Sequence, residues 1–493
     1  MRKWLASWIF LWLIFGSAQA RFEFTPVARN AYEQVLSLRF EQAKVSLAQM
    51  KLQDTDNLIA YHIENYVDFL TLYLNQNEAD YERLKKNEEL RLEKIQHGDA
   101  KSPYYLYTQA NVRLQWALVK LRFGDYISAF NDISKANKLL EKNQEKFPDF
   151  LPNLKDLGIL HALVGTIPDN YKWSVRLLGG LKGTVAQGQR ELHTVLQKAK
   201  QQDFIFKTET AVMLATIMLY LDSNSEGAWQ LLNNISLQPL ENPLHCFVMA
   251  NVAMRSGRND RAIELLQHYP KGKQFATVSQ FDFLLGLAKL RRLDSDAGKF
   301  LEQFVQQYRG QDGVKEAYQK LAWFEWTKGN TQGYQKYVKA ILVHGKAASG
   351  GDKDALQEAK TARVLDVNLI RARLLFDGGY YQKAYQQLQD KSSADFTQKA
   401  SRLEYLYRMG RILHGLQKYD EALGFYWRTI EQGKDELYFY ACNAALQAGL
   451  ICESRKEFAK AKEFYQHCLT INPVEYKTEL HQKAKSGLER LKG

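Results

Sequence analysis

Three groups of residues have the types and spacing that chemistry needs, and each falls short of a reaction. Gly179-Gly-Leu-Lys-Gly183-Thr has the glycines of a phosphate-binding loop, but it lacks both the Walker spacing and the closing Gly-Lys-Ser/Thr that hold a nucleotide. The ten histidines never fall at i and i+3 or i+4 on one helix face, and there is no His-Glu-x-x-His. A metal needs convergent ligands, so a single His161 or His193 on an apolar face reads as a packed or capping side chain. No Gly-x-Ser-x-Gly elbow is present. Two of the 55 acidic residues can form a glycosidase-like pair from distant positions, but no spacing selects them. The expectation is a protein that is not an enzyme, with no metal and no cofactor.

Binding chemistry remains. Arg371 and Arg373, then Tyr407, Arg408 and Arg411, then Asn443 and Gln447 are polar residues set between apolar ones in three successive stretches. What positions them is a register of small and bulky residues: Ala372/Ala384/Leu388, Gly410/Ala422/Tyr426 and Gly449/Ala461/Tyr465, with weaker copies at Ala250/Ala262/Leu266 and Ala117/Ala129/Ile133. A small residue, a second one twelve positions on and a bulky one four further is how two short antiparallel helices pack closely. This is the arithmetic of the tetratricopeptide repeat (TPR). The fold class expected is all-α, a TPR-like α–α superhelix of antiparallel helix pairs. In such a stack the first helix of each pair lines the inner surface, which is where the seven polar residues fall. Their arginines suggest an acidic or carboxylate-bearing protein or peptide partner.

Composition agrees with an all-helical chain. Proline is scarce, at nine in 493 residues, and long stretches such as Val112 to Leu121 keep a 3.6-residue period. Glycine marks the turns within pairs, as at Gly124, Gly257 and Gly378-Gly379, and an aromatic beside each turn (Tyr126, Tyr381, Tyr419, Phe458) is expected to plug the corner. The last three registers are spaced by 38 and 39 residues. The standard unit is ~34 residues, which predicts helices lengthened by about one turn. Gly345 to Gly351 reads as a loop before a helix N-capped by Asp352, and residues 474–493 read as a polar-faced capping helix.

At the other end, Arg2 and Lys3 precede an apolar run from Trp4 to Phe15 and the small residues Ser17-Ala18-Gln19-Ala20. This is the pattern of a secretory signal peptide with cleavage before Arg21. The run is too short to span a bilayer, which takes about 20 residues. Removing two positive residues from a formal charge of +12 leaves +10. Basic and acidic residues alternate along most helices, so nucleic acid is not expected as a partner, and after cleavage no transmembrane segment remains. The localisation expected is exported, periplasmic or envelope-associated in a Gram-negative bacterium. Cys246, Cys442, Cys452 and Cys468 are too few for a disulfide framework. Cys452 and Cys468 are expected inside the last helix pair as buried thiols, and export permits a disulfide between them.

One segment breaks the repeat. From Leu157 to Leu192, seven residues (Gly158, Gly165, Pro168, Gly179, Gly180, Gly183, Gly188) interrupt the apolar runs, which predicts two helices in close glycine contact and a corner between lobes. Gly158-x-Leu160, Thr166-Ile167-Pro168, Leu177-Leu178-Gly179-x-x-x-Gly183 and Gly188-x-x-x-Leu192 resemble the tetratricopeptide repeat protein 39 family, which includes a fungal inclusion-body clearance protein. The resemblance implies the fold and no catalytic residues. Eukaryotic members are intracellular and tied to lipid handling and aggregate clearance, and the signal peptide sets this chain apart as an exported bacterial branch. The organisation read from the sequence is therefore a signal peptide at 1–20, N-terminal helical repeats at 21–156, a Gly/Pro-containing helical corner at 157–192, middle helical repeats at 193–345 and C-terminal TPR repeats with a capping helix at 346–493. The function expected is a non-enzymatic envelope scaffold for protein–protein interaction. The alternative is a glycan- or lipid-binding protein with a pocket near residues 167–183.

Overall fold

The structure, a computed structural model, describes residues 20–165, 181–222, 224–347, 349–361 and 366–491. All but the last residue of the expected signal peptide, and the Ile167-Pro168 and Gly179-Gly180 parts of the corner, lie outside the described residues. The chain is all-α and forms two compact units: Met1–Tyr73 with Ala79–Lys207 and Gln274–Ala276, and Leu74–Glu78 with Thr208–Lys273 and Thr277–Gly493.

The first unit carries α1 (Pro26–Leu36), α2 (Phe40–Gln53), α3 (Ile59–Asn75), α4 (Glu78–Leu84), α5 (Asn87–Gln96), α6 (Pro103–Arg122), α7 (Tyr126–Lys146), α8 (Leu151–Val164) and α9 (Val185–Lys198). Several start where a side-chain oxygen can take an orphan N–H: Thr25, Ser102, Asp125 and Thr184 each accept from the first turn that follows. The glycine contact expected in the corner segment is present between α8 and α9, where a Cβ on Gly188 would fall 2.3 Å from the Gly158 carbonyl oxygen. His161 Nδ1 meets Glu191 Oε2 at 2.6 Å across the same pair. The interior also holds a polar network that the repeat pattern gives no hint of. Asn111 Nδ2 donates to Asp156 at 2.8 Å, Gln115 Nε2 to Asn111 at 2.8 Å, Asn65 Nδ2 to Gln115 at 2.7 Å and Trp116 Nε1 to Asn65 at 2.8 Å.

The second unit runs α10 (Lys207–Tyr220), α11 (Ser225–Asn233), α12 (Pro243–Arg255), α13 (Asn259–Gln267), α14 (Gln280–Arg291), α15 (Ala297–Gln307), α16 (Val314–Thr327), α17 (Thr331–Val343), α18 (Gly350–Thr361), α19 (Val367–Asp377), α20 (Tyr381–Leu388), α21 (Lys399–Gly415), α22 (Tyr419–Gly433), α23 (Tyr440–Ser454), α24 (Phe458–Thr470) and α25 (Lys477–Arg490). From α12 onward these form sequential antiparallel pairs, with α18 standing alone and α25 covering the last pair. The register residues are the core: Ala372, Ala384, Leu388, Ala422, Tyr426, Ala461, Tyr465, Ala250, Ala262 and Leu266 are fully buried. Gly257 and Gly379 turn their pairs with φ of +73° and +80°, which a Cβ would strain.

Four expectations are corrected. In the α6–α7 pair Ile133 is only partly buried, and Asp132 and Ala136 face inward in its place. Tyr126 and Phe458 are 58% and 54% exposed instead of plugging their corners, because each is the first residue of its helix and points off the stack. Tyr381 does pack as expected, its ring 5.3 Å from that of Phe376. The long spacing from Ala372 to Gly410 comes from the connection after α20, which contains the 3-10 turn Ser393–Asp395, since α19 and α20 have only 11 and 8 residues. The helices lengthen only in the following repeat, where α21 has 17 residues and α22 has 15. Finally, Asp352 lies inside α18 and caps a different helix: its carboxylate accepts from the Gly313 and Glu316 N–H groups at the start of α16 at 2.7 and 3.0 Å. Ser349 takes the capping role for α18, accepting from the Asp352 N–H at 3.1 Å.

Candidate partner-binding groove

The first helices of successive pairs in the second unit (α14, α16, α19, α21 and α23), together with α18 and the loop before α25, enclose a cavity of about 250 Å³. Trp323 of α16 is its aromatic floor, 1% exposed, with the Lys320 ammonium 4.1 Å and the Arg373 guanidinium 4.6 Å from the ring centroid. Such placements draw cations to the negative ring face and substitute for lost hydration. Trp323 Nε1 and Gln319 Nε2 donate to the two Glu358 oxygens at 2.7 and 2.9 Å, which ties α18 to α16. Tyr476, in the loop before α25, donates its hydroxyl proton to Asp354 of α18 and stacks edge-on against Phe439 at 5.0 Å. This hydrogen bond closes one side of the cavity.

The cations here are loosely paired. Lys320 is 3.6 Å from Glu316 and donates to Gln319 Oε1 at 2.7 Å, and Arg373 is 3.9 Å from Asp377. Arg291 donates to the Met254 carbonyl at 3.4 Å. Burial pushes Lys320 and Arg291 below their ordinary pKa values, because a low-dielectric site disfavours the charged form. Among the described residues, six carboxylates (Glu316, Asp354, Glu358, Asp377, Glu404, Glu475) and three cations (Arg291, Lys320, Arg373) line the cavity.

Of the seven polar residues expected at the inner surface, Arg373 lines the cavity. Four of the others form one hydrogen-bonded strip across α21 and α23. Gln447 Nε2 donates to Asn443 Oδ1 at 3.1 Å, Asn443 Nδ2 to the Tyr407 hydroxyl at 2.8 Å, and Arg411 donates to the same hydroxyl at 3.1 Å. Tyr407 is 3% exposed and orients its neighbours more than it presents a surface. Arg408 is 6% exposed and paired with Glu404 at 3.0 Å, and Arg371 donates to the Thr327 carbonyl. The sequence pattern did not single out Lys320, Arg291 or Tyr476. Lys320 and Trp323 carried a usable signal, being three apart on one face of a helix. Tyr476 carried none, because its contact with Asp354 spans 122 residues.

Among the described residues no group of three or more His, Cys, Asp or Glu is placed to hold a metal ion, and no helix is long and apolar enough to cross a membrane. A pocket between residues 167 and 183 falls mostly outside the described residues.

A tetratricopeptide repeat family model matches residues 443–475, which run from α23 through α24 into the Tyr476 loop. Residues 443–475 thus form a tetratricopeptide repeat. No curated protein matches it. Solved structures similar to it include a human IFIT1 dimer with PPP-AAAA (14% identity, 95% of each chain covered, TM-score 0.30). Others are the APC/C hetero-tetramer Cut9–Hcn1 (12%, 94% of this chain and 99% of that one, 0.27) and yeast Tom70 (11%, 95% and 97%, 0.26). TPR folds are typically non-enzymatic and generally bind protein partners.

Proposed function

We infer that this protein is a non-enzymatic TPR scaffold of a bacterial cell envelope that binds a segment of a partner protein in the α14–α23 cavity. The observation that carries the reading is the cavity itself: three first helices, α14, α16 and α19, turn loosely paired cations and a buried tryptophan toward one space that α21 and α23 also line. The partner chemistry differs from that suggested by the arginines alone. Arg408 faces a carboxylate of its own chain and Arg371 a carbonyl, so neither offers a bare charge to an acidic partner. A segment entering the cavity meets both signs of charge and aromatic faces, which suits a peptide with mixed charge.

Export is supported by the Arg2-Lys3 start, the Trp4–Phe15 run and the Ser17-Ala18-Gln19-Ala20 end. Kinship with the tetratricopeptide repeat protein 39 family is supported by the Gly158 to Leu192 motif. The test is a photo-crosslinking amino acid placed at Tyr476, on the cavity rim, and at Leu52, which is 81% exposed in the first unit. The reading expects a partner captured from the envelope fraction at position 476 alone and lost on Trp323→Ala. Equal capture at both positions, or recovery of the protein only from the cytoplasm with residues 1–20 still attached, overturns it.

A further inference from the structure

The four cysteines are not equivalent. Cys442, near the start of α23, and Cys468, near the end of α24, face each other across the last antiparallel pair with their sulfurs 3.5 Å apart, both fully buried. Cys442 Sγ also donates to the Cys468 carbonyl at 3.4 Å, and Cys468 Sγ lies 3.9 Å from the Leu480 carbonyl of α25. Cys452 and Cys468 are both buried thiols, as expected, but the disulfide that export would permit between them does not fit the geometry. Cys452 sits ten residues beyond Cys442 on α23, about 15 Å along the helix axis. An antiparallel partner therefore puts the end of α24 beside Cys442 and the start of α24 beside Cys452.

We propose that Cys442 and Cys468 are a disulfide site that staples the terminal TPR pair, formed by exchange with a low-molecular-weight disulfide such as glutathione disulfide. The Cys442 thiolate attacks one glutathione sulfur and expels the other as glutathione thiolate. The Cys468 thiolate then attacks Cys442 Sγ, forming the protein S–S bond and releasing the second glutathione. The two cysteine protons end on the two glutathione thiolates, and two protein thiols are oxidised as one disulfide is reduced. In the closed pair the hydrogen bond between the two sulfurs lowers the Cys442 thiol and raises Cys468; in the open pair that bond is absent, and the same exchange written from Cys468 is equivalent.

Burial sets when this happens. Neither sulfur is exposed in the closed pair, so exchange takes place while the C-terminal repeat is open. End repeats of a solenoid open most readily, because they have a neighbour on only one side. Once closed, the bond is sealed under α25 and shielded from reductant. The site depends on the helix-pair geometry alone and stands apart from any partner or location.

The experiment incubates the full-length protein with glutathione disulfide in urea just below its unfolding transition, dilutes out the urea, alkylates in denaturant and maps the peptides. The expected result is one Cys442–Cys468 linkage with Cys246 and Cys452 alkylated. The melting temperature should be several degrees higher than after dithiothreitol, and that difference should vanish in Cys442→Ala. Alkylation of both Cys442 and Cys468, or a linkage through Cys452 or Cys246, overturns the proposal.

Discussion

Gly449 lies against the ring of Tyr465 so closely that a Cβ added to it would fall 2.5 Å from Cε1, and Gly487 of α25 meets the opposite ring edge at the same distance. The tyrosine is thus held between two helices that each had to give up a side chain. Gly410 stands in the same relation to Tyr426 one repeat earlier, at 2.7 Å. Gly449→Ala should destabilise the second unit by about 1–3 kcal/mol through overpacking. Chemical denaturation would show this as a lower midpoint, and an unchanged midpoint would mean that the ring can move aside.

The Tyr407 hydroxyl accepts from both Asn443 and Arg411 inside a nearly closed space. Tyr407→Phe keeps the ring and removes the acceptor, leaving two donors to be satisfied elsewhere. The expected cost is about 1–3 kcal/mol. Urea unfolding of Tyr407→Phe against the double variant Tyr407→Phe/Asn443→Leu measures it, and the double variant should recover part of the loss.

Helix α18 has little apolar anchorage, with Ala355 and Ala359 against Ile341 as its buried core. Its polar ties to Trp323, Gln319 and Tyr476 therefore hold it over the cavity. Tyr476→Phe should speed amide hydrogen exchange in α18 severalfold while leaving α12 and α13 unchanged. Equal protection in α18 before and after the substitution would show that the tyrosine tie contributes nothing.

Burial, reinforced by the Arg411 charge, pushes His414 down to about 4 from an unfolded value near 6.5. Between those two values the unfolded chain binds the proton and the folded chain does not. Its contribution to stability is therefore complete above pH 6.5 and falls away as the pH drops toward 4. His245 is pushed to about 4 by burial and adds a loss of the same sign. His414→Gln should flatten the fall in melting temperature between pH 6.5 and 4 relative to wild type, and parallel curves would rule His414 out as a source.

The register was legible because it is local: Ala422 and Tyr426 must face Gly410 whatever else the chain does, and all three are where the spacing puts them. The positions of Arg373, Asn443 and Gln447 on first helices followed from the same arithmetic. Their engagement did not, because Tyr407 can serve Asn443 only once α21 and α23 are side by side. That Cys442 and not Cys452 lies beside Cys468 was hidden for the same reason, since counting from the register gives the inward face of a helix but not which end of the partner lies opposite. Asp352 illustrates a further limit: a capping residue near a helix start can serve another helix 36 residues away.

The strip from Gln447 through Asn443 and Tyr407 to Arg411 runs from one repeat into the next. Repeat arrays commonly evolve by gaining or losing whole units, since identical interfaces let any neighbour replace another. Here the α21–α22 unit supplies a hydroxyl that serves both its own Arg411 and the asparagine of the α23–α24 unit, so excising or duplicating either unit strands polar groups at the seam. The number and order of repeats at this end of the chain are for that reason fixed by chemistry, and divergence in this lineage should be concentrated in side chains and not in repeat count.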